Sequence, residues 1–452
     1  MFFGLPACCT APGIRDVQIR VGCTNRHLWQ DRPVPLQTDP SLKPNLPASS
    51  PEPGSRSGVN TVAVLGITMA VQAMVAMAVL AVPSVAPAMA LSLSVSPSLV
   101  GAYIAVLYLG AIIASMSAGP LVLRFGAIRV SQWGLVACAA GLALLAASSS
   151  LPLAAVGAFL IGLGYGPITP ASSHVLVRTA PAHRVSLIFS IKQTGVPLGG
   201  VLAGAIVPPI VVASSVATAL WSLCVTCVFV AALAGWVRRE LDADRQPGRP
   251  ISLAGFSQPL KLVAGHPELR RLSTVSFVFS TMQMCLATYL VTYLNTGLGY
   301  TLVLAGLALS ASQIGGVVGR ITWGWLADRW ISPARMLAVL ALLMAISAIA
   351  TAALRPGTPV ALLIALLVLF GASATGWNGV YLAEVARRAP PGRAGEATGG
   401  SLAFTFMGSV LGPIPFGMVA AAAGTFAASY LLMALPVLGC AWWLALRKPQ
   451  AG

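Results

Sequence analysis

Acidic side chains are scarce in this chain. Its 452 residues carry 11 Asp and Glu against 27 Lys and Arg, and no carboxylate side chain occurs between residues 59 and 239. The later acids, Glu240, Asp242, Asp244, Glu268, Asp328, Glu384 and Glu396, all fall at or beyond the ends of apolar segments. A proton relay of carboxylates within those segments is therefore unsupported. Catalytic signatures are missing too, with no Walker A sequence, HExxH, GxSxG or paired His/Cys/Asp cluster. The chain reads as a non-enzyme without metal or cofactor.

Charged residues make up 8% of the chain and hydrophobic ones 57%, which leaves too little polar surface for a soluble globule of this length. What the chain has is long apolar runs, near residues 61–87, 98–120, 130–148, 152–177, 184–207, 216–237, 271–295, 302–326, 334–354, 359–386, 396–420 and 425–446. About 20 apolar residues rising ~1.5 Å each cross ~30 Å of hydrocarbon. The expected fold is an all-α membrane protein of 12 transmembrane helices. A net charge of +16 would suit a nucleic-acid partner if it formed one patch, but the cations are divided among short gaps, so none is expected.

Those cations fill every second gap, at Arg124/Arg129, Arg178/Arg184, the loop from Arg238 to Arg271, Arg329/Arg335, Arg387/Arg388/Arg393 and Arg447/Lys448, while the other gaps hold only Arg355. Lys and Arg concentrate on the cytoplasmic side, which places both termini there in a multi-pass cell membrane protein. Residues 1–58 are rich in Pro, Ser and Arg without hydrophobic period and are expected as a disordered tail; Met1 to Cys9 lacks the basic leader and apolar core of a signal peptide. Cys138, Cys224, Cys227, Cys285 and Cys440 lie inside apolar runs. Packing suits them better than disulfide, zinc or redox chemistry, even for the Cys224/Cys227 CxxC.

The chain repeats itself. Gly162 to Arg184 aligns without gaps on Gly371 to Arg393 at a shift of 209, Gly119 and Arg124 fall on Gly324 and Arg329 at 205, and Gln72 falls on Gln283 at 211. One duplication accounts for all three. The expected layout is a six-helix unit over 59–237, a polar linker over 238–270, a second six-helix unit over 271–447, and a short tail over 448–452. Two repeats with a solute site between them near mid-membrane form a recurrent transporter design. Gly195, Pro197, Gly408, Gly412 and Pro413 are candidate bend points.

Over residues 59–452 the chain resembles the major facilitator superfamily. The residues that carry the resemblance are Gly324-Trp-Leu-Ala-Asp328-Arg329, preceded by Gly319-Arg320, and the glycine-proline run Gly399, Gly408, Gly412-Pro413 and Gly417. The first copy of the loop signature has Leu123 in place of Asp, and the fourth-span Arg of the family's drug/proton antiporters is Ala158 here. The resemblance implies two pseudo-symmetric bundles and alternating access. It also implies contacts at the cytoplasmic gate, for which Asp328, Arg329, Arg124, Glu384, Arg387, Arg184, Arg393 and Glu396 are the candidates.

Lys192 is the sharpest candidate for substrate binding. It lies eight residues past Arg184, about 12 Å inside by helical rise. A cation there costs about 2.5–3.5 kcal/mol and generally has a partner or a function. No acid is at hand, so an anionic substrate, a small organic carboxylate, would supply the counter-charge; the alternative is a side chain snorkelling to the cytoplasm. Arg320 lies at similar depth, as a second anion ligand or paired with Asp328 or loop carbonyls. Gln72, Gln283, Trp377 and Asn378 fall near mid-membrane, to bind substrate or to join helices. His174 reads as a structural histidine near the cytoplasmic vestibule.

These residues suggest a secondary transporter of a small organic anion working as a rocker switch, a monomer in the bilayer with a co-transported proton or counter-anion possible. Export of hydrophobic compounds is the rival within the family, and a membrane-embedded sensor or enzyme the rival outside it.

Overall fold

The computed structural model describes residues 61–179, 191–248, 257–391 and 393–446. The N-terminal tail, Arg184, Arg447, Lys448 and the C-terminal tail lie outside the described residues, as do the side chains of Asp328 and Glu396.

Among the described residues all regular structure is helical. Twelve helices are long and apolar enough to cross a membrane: α1 (Val62–Ser84), α2 (Pro97–Phe125), α3 (Ala127–Ala146), α4 (Leu151–Leu176), α5 (Ile191–Ala213), α6 (Val216–Leu241), α7 (Pro267–Gly297), α8 (Leu302–Ala327), α9 (Pro333–Ala352), α10 (Val360–Arg388), α11 (Ala397–Ala423) and α12 (Phe426–Ala445). With no water in hydrocarbon to satisfy the backbone, helices meet that need internally. Large apolar side chains such as Trp221 and Phe229 on α6, or Leu435 and Trp442 on α12, face outward. In lipid they form the outer surface.

The helices form two bundles with the same packing. Pairs α1/α5, α2/α4 and α3/α6 in the first bundle recur as α7/α11, α8/α10 and α9/α12 in the second. Gly162 of α4 approaches the Leu107 carbonyl of α2 so closely that a Cβ would collide with it, and Gly371 of α10 meets the Ser312 carbonyl of α8 in the same way. These pairs are related by the shifts of 209 and 205 seen in the sequence. The duplication is thus preserved as backbone contact at small residues.

Several spans are interrupted. The helix of α4 breaks at Gly166–Pro167, that of α10 at Trp377, and that of α11 at Gly412 before Pro413. In α5 a turn at Thr194 precedes the segment starting at Gly195. Pro208 and Pro209 do not end α5, which continues to Ala213, past the 207 expected from sequence. The span α7 begins at Pro267 rather than 271, and a short helix, Ser257–Gly265, occupies part of the linker.

The bundles meet along α5/α8, α2/α11 and α1/α7. At the end where the loops carry few charges, Tyr289 Oη of α7 donates to the Ser98 carbonyl at 3.0 Å and to the Pro413 carbonyl at 2.8 Å. Ser310 Oγ of α8 donates to the Val201 carbonyl of α5 at 2.8 Å. The Tyr289 bond joins the bundles at that end, and the Ser310 bond joins them nearer mid-span.

Candidate functional site

Lys192 of α5 is fully buried, with 0% of its surface exposed. Its Nζ donates to Gln72 Oε1 of α1 at 3.0 Å and to Gln193 Oε1 at 3.3 Å. Thr169 Oγ1 of α4 donates to the same Gln72 oxygen at 3.2 Å, while the Gln72 Nε2 group is buried without a hydrogen-bond partner. The ammonium therefore faces neutral amide oxygens and has an unpaired amide donor beside them.

Arg320 of α8 stands half-buried on the other side of the α5/α8 seam. Its Nη1 donates to the Gln193 carbonyl at 2.7 Å and its Nε to the Thr375 carbonyl of α10 at 3.2 Å. Its partners are carbonyls within spans, and Gln193 touches both cations. Two positive side chains from different bundles thus converge on one residue.

The second bundle repeats part of this arrangement without the charge. Trp377 Nε1 donates to Gln283 Oε1 at 3.1 Å, with Asn378 Nδ2 at 3.5 Å from the same oxygen. Asn378 is related to Thr169 by the shift of 209, so each bundle sets a mid-membrane Gln against the helix beyond its α4 or α10 break. Trp377 is fully buried between Phe279 and Tyr381, with ring centroids at 5.5 and 5.3 Å. It orients Gln283 from behind.

A cavity of about 30 Å³ lies between the bundles, bordered by Tyr108, Tyr165, Val196, Gln283, Gln313 and Thr375. That is room for about two waters. Of the six residues singled out for substrate, Gln283 alone borders it. Thr375, whose carbonyl accepts from Arg320, and Val196, one turn beyond Lys192, connect it to the cations. A much larger cleft of about 810 Å³ opens between parts of α2 and α11, lined by Leu109, Met116, Pro120, Phe406, Met407 and Leu411. None of the six residues lies in it, and its walls are apolar.

The expected gate residues are dispersed at the basic end. Glu384 is held by Arg388 at 3.0 Å and Arg387 at 3.8 Å on its own helix. The Arg124 guanidinium lies over the Phe125 ring, and Arg329 and Arg393 are exposed. A different network is present. Asp242 accepts from the backbone N–H groups of Ile128 at 2.8 Å and Arg129 at 3.0 Å, satisfying the first turn of α3. Asp244 pairs with His174 at 2.6 Å and with Arg178. The start of the linker is thereby tied to α3 and α4. Sequence reading gave these two acids no partners, since each bond joins residues far apart in the chain; the nearness of Arg178 and His174 to one helix end was the available signal.

The sequence matches the profile of the Major Facilitator Superfamily over residues 67–413. The chain belongs to that superfamily. Among relatives, it is 26% identical over 235 residues to an uncharacterized MFS-type transporter of Mycobacterium tuberculosis, covering 51% of this chain and 52% of that one. It is also 26% identical over 275 residues to a gentisate transporter of Corynebacterium glutamicum, covering 58% and 60%. The chain thus spans between half and three-fifths of these relatives. Solved structures of similar fold include the nucleoside transporter NupG, with a TM-score of 0.68 at 16% identity over 85% of this chain and 98% of that one. A bacterial homolog of the human lysosomal transporter Spinster, inward-facing and unoccupied, gives 0.65 at 15% identity over 85% and 95%. These likenesses concern the fold shared across the superfamily.

Proposed function

We propose that this transporter carries a small organic anion, a carboxylate, by alternating exposure of a site at the α5/α8 seam. The observation that carries this reading is the pair Lys192 and Arg320. One is fully buried, the two belong to opposite bundles, and both are bonded to uncharged oxygens. No acid occurs in the sequence of the first six spans before Glu240. An arriving carboxylate would replace neutral acceptors with charged ones, which are about twice as strong. Gln72 Nε2 is a further donor for it, and Gln283, Asn378 and Trp377 form the uncharged side of the same region. The gentisate transporter among the relatives adds support, since gentisate is an organic anion.

Each bundle supplies one cation, so a bound anion would bridge α5 and α8 as part of the rocking cycle. Gate contacts among Asp328, Arg329, Arg124, Glu384, Arg387, Arg184, Arg393 and Glu396 belong, in this reading, to another stage of that cycle. Bending at Gly195, Pro197, Gly408, Gly412 and Pro413 lets α5 and α11 follow the motion. The side bearing the cationic loops is the cytoplasmic one.

The apolar cleft between α2 and α11 favours a second reading, export of hydrophobic compounds. Substrate charge separates the two. Uptake into proteoliposomes should be seen for members of a panel of mono- and dicarboxylates, assayed with and without a pH gradient, and Lys192→Gln should abolish it with membrane insertion retained. Transport of neutral apolar compounds alone, unaffected by Lys192→Gln, would support the second reading.

A further inference from the structure

Gln193 holds both cations of the α5/α8 seam, through different atoms. Its side-chain Oε1 accepts from Lys192 Nζ at 3.3 Å and its main-chain carbonyl accepts from Arg320 Nη1 at 2.7 Å. A main-chain carbonyl inside a helix ordinarily accepts from the N–H four residues on. Four residues past Gln193 is Pro197, which has no N–H. The next bond of the ladder, from the Leu198 N–H to the Thr194 carbonyl, is formed at 3.0 Å. The Gln193 carbonyl is therefore left without a helical donor by the covalent structure of the chain, and a guanidinium from the opposite bundle takes that place.

We infer that Gln193, with its carbonyl released by Pro197, is an internal stand-in for the transported anion: it occupies Lys192 and Arg320 while the site is empty, and substrate must displace it from both. This rests on the anion reading above and extends it to a specific residue that sets affinity and couples binding to motion. Displacement breaks the Arg320 to Gln193 bond, which joins α8 to α5, so the substrate's arrival removes a bond between the bundles as it forms its own. An empty carrier is held together at this point, and an occupied one is held through its cargo.

The inference predicts gain as well as loss. Pro197→Ala restores the missing N–H, lets the Gln193 carbonyl close an ordinary helical bond and so weakens its hold on Arg320. Gln193→Ala frees Lys192 of one acceptor. Each should tighten binding of a carboxylate about tenfold or more, the worth of one hydrogen bond to a charged group no longer given up on binding. Gln193→Glu places a fixed carboxylate against Lys192 and should abolish binding. The measurement is thermal stabilisation of the full-length protein in detergent titrated with lactate, succinate and benzoate. It is accompanied by cross-linking, without ligand, of cysteines at the exposed positions Ile191 and Ile321.

Wild-type stabilisation by a carboxylate, a lower midpoint in Pro197→Ala and Gln193→Ala, and altered cross-linking in Pro197→Ala establish the inference. Equal or weaker binding in both variants overturns it and leaves the anion reading standing. If none of the three carboxylates stabilises the wild type and Pro197→Ala leaves cross-linking unchanged, both fail.

Discussion

At the residue scale, depth in the membrane could be computed from the sequence, whereas partnership could not. Counting residues from Arg184 places Lys192 well inside the bilayer, and the side chain is fully buried. The helical rise says nothing of which oxygens lie around it, because Gln72 is 120 positions away. Asp242 illustrates the same limit, since its acceptor role spans more than a hundred residues. Its carboxyl also makes a prediction. Burial raises its pKa above the ordinary carboxylate value, against the opposing pull of the Ile128 and Arg129 N–H groups. A carboxyl raised in the folded state contributes stability in full below the unfolded pKa of ~4 and loses it as pH rises through the folded value. The melting temperature of the wild type relative to Asp242→Asn should therefore fall as pH rises above about 4. A difference that is flat with pH contradicts this.

At the element scale, apolar runs gave the number and order of the spans because backbone satisfaction in lipid leaves few alternatives. Helix ends were less legible. The end of α5 lies beyond Pro208 and Pro209, where the span remains apolar through Val212. The breaks in α4 and α11 lie at Gly-Pro sites, whereas that in α10 lies at Trp377, read from sequence as a substrate contact and not as a bend. The carbonyl freed by Pro197 was readable in principle, from its spacing alone. Close approach at repeated glycines predicts unequal costs for one substitution. Gly371→Ala would push a Cβ into the Ser312 backbone, at a cost of about 1–3 kcal/mol. Gly379→Ala on the same span meets open space and should be neutral or slightly stabilising. Thermal unfolding in detergent compares them, and equal effects would remove the argument that α8 and α10 depend on that contact.

At the scale of the whole molecule, the duplication produces a frame with two similar halves, and charge breaks the similarity. The repeat of Lys192 falls on Ser401 and that of Arg320 on Ser115, by the shifts of 209 and 205. Closure at the other end depends on Tyr289, whose hydroxyl lies against carbonyls of both bundles. Tyr289→Phe should loosen that end and raise the labelling rate of a cysteine at Ser98 by a membrane-impermeant maleimide about threefold or more. An unchanged rate would mean that packing alone holds it shut.

The central claim is that the two seam cations wait for a negative charge. Its most direct test is proteoliposome uptake of a transported carboxylate in competition with its own carboxamide, which keeps the shape and removes the charge. The account predicts that the carboxamide competes at least about tenfold more weakly, the usual worth of a charged hydrogen-bond partner. Equal competition by the neutral compound would contradict it.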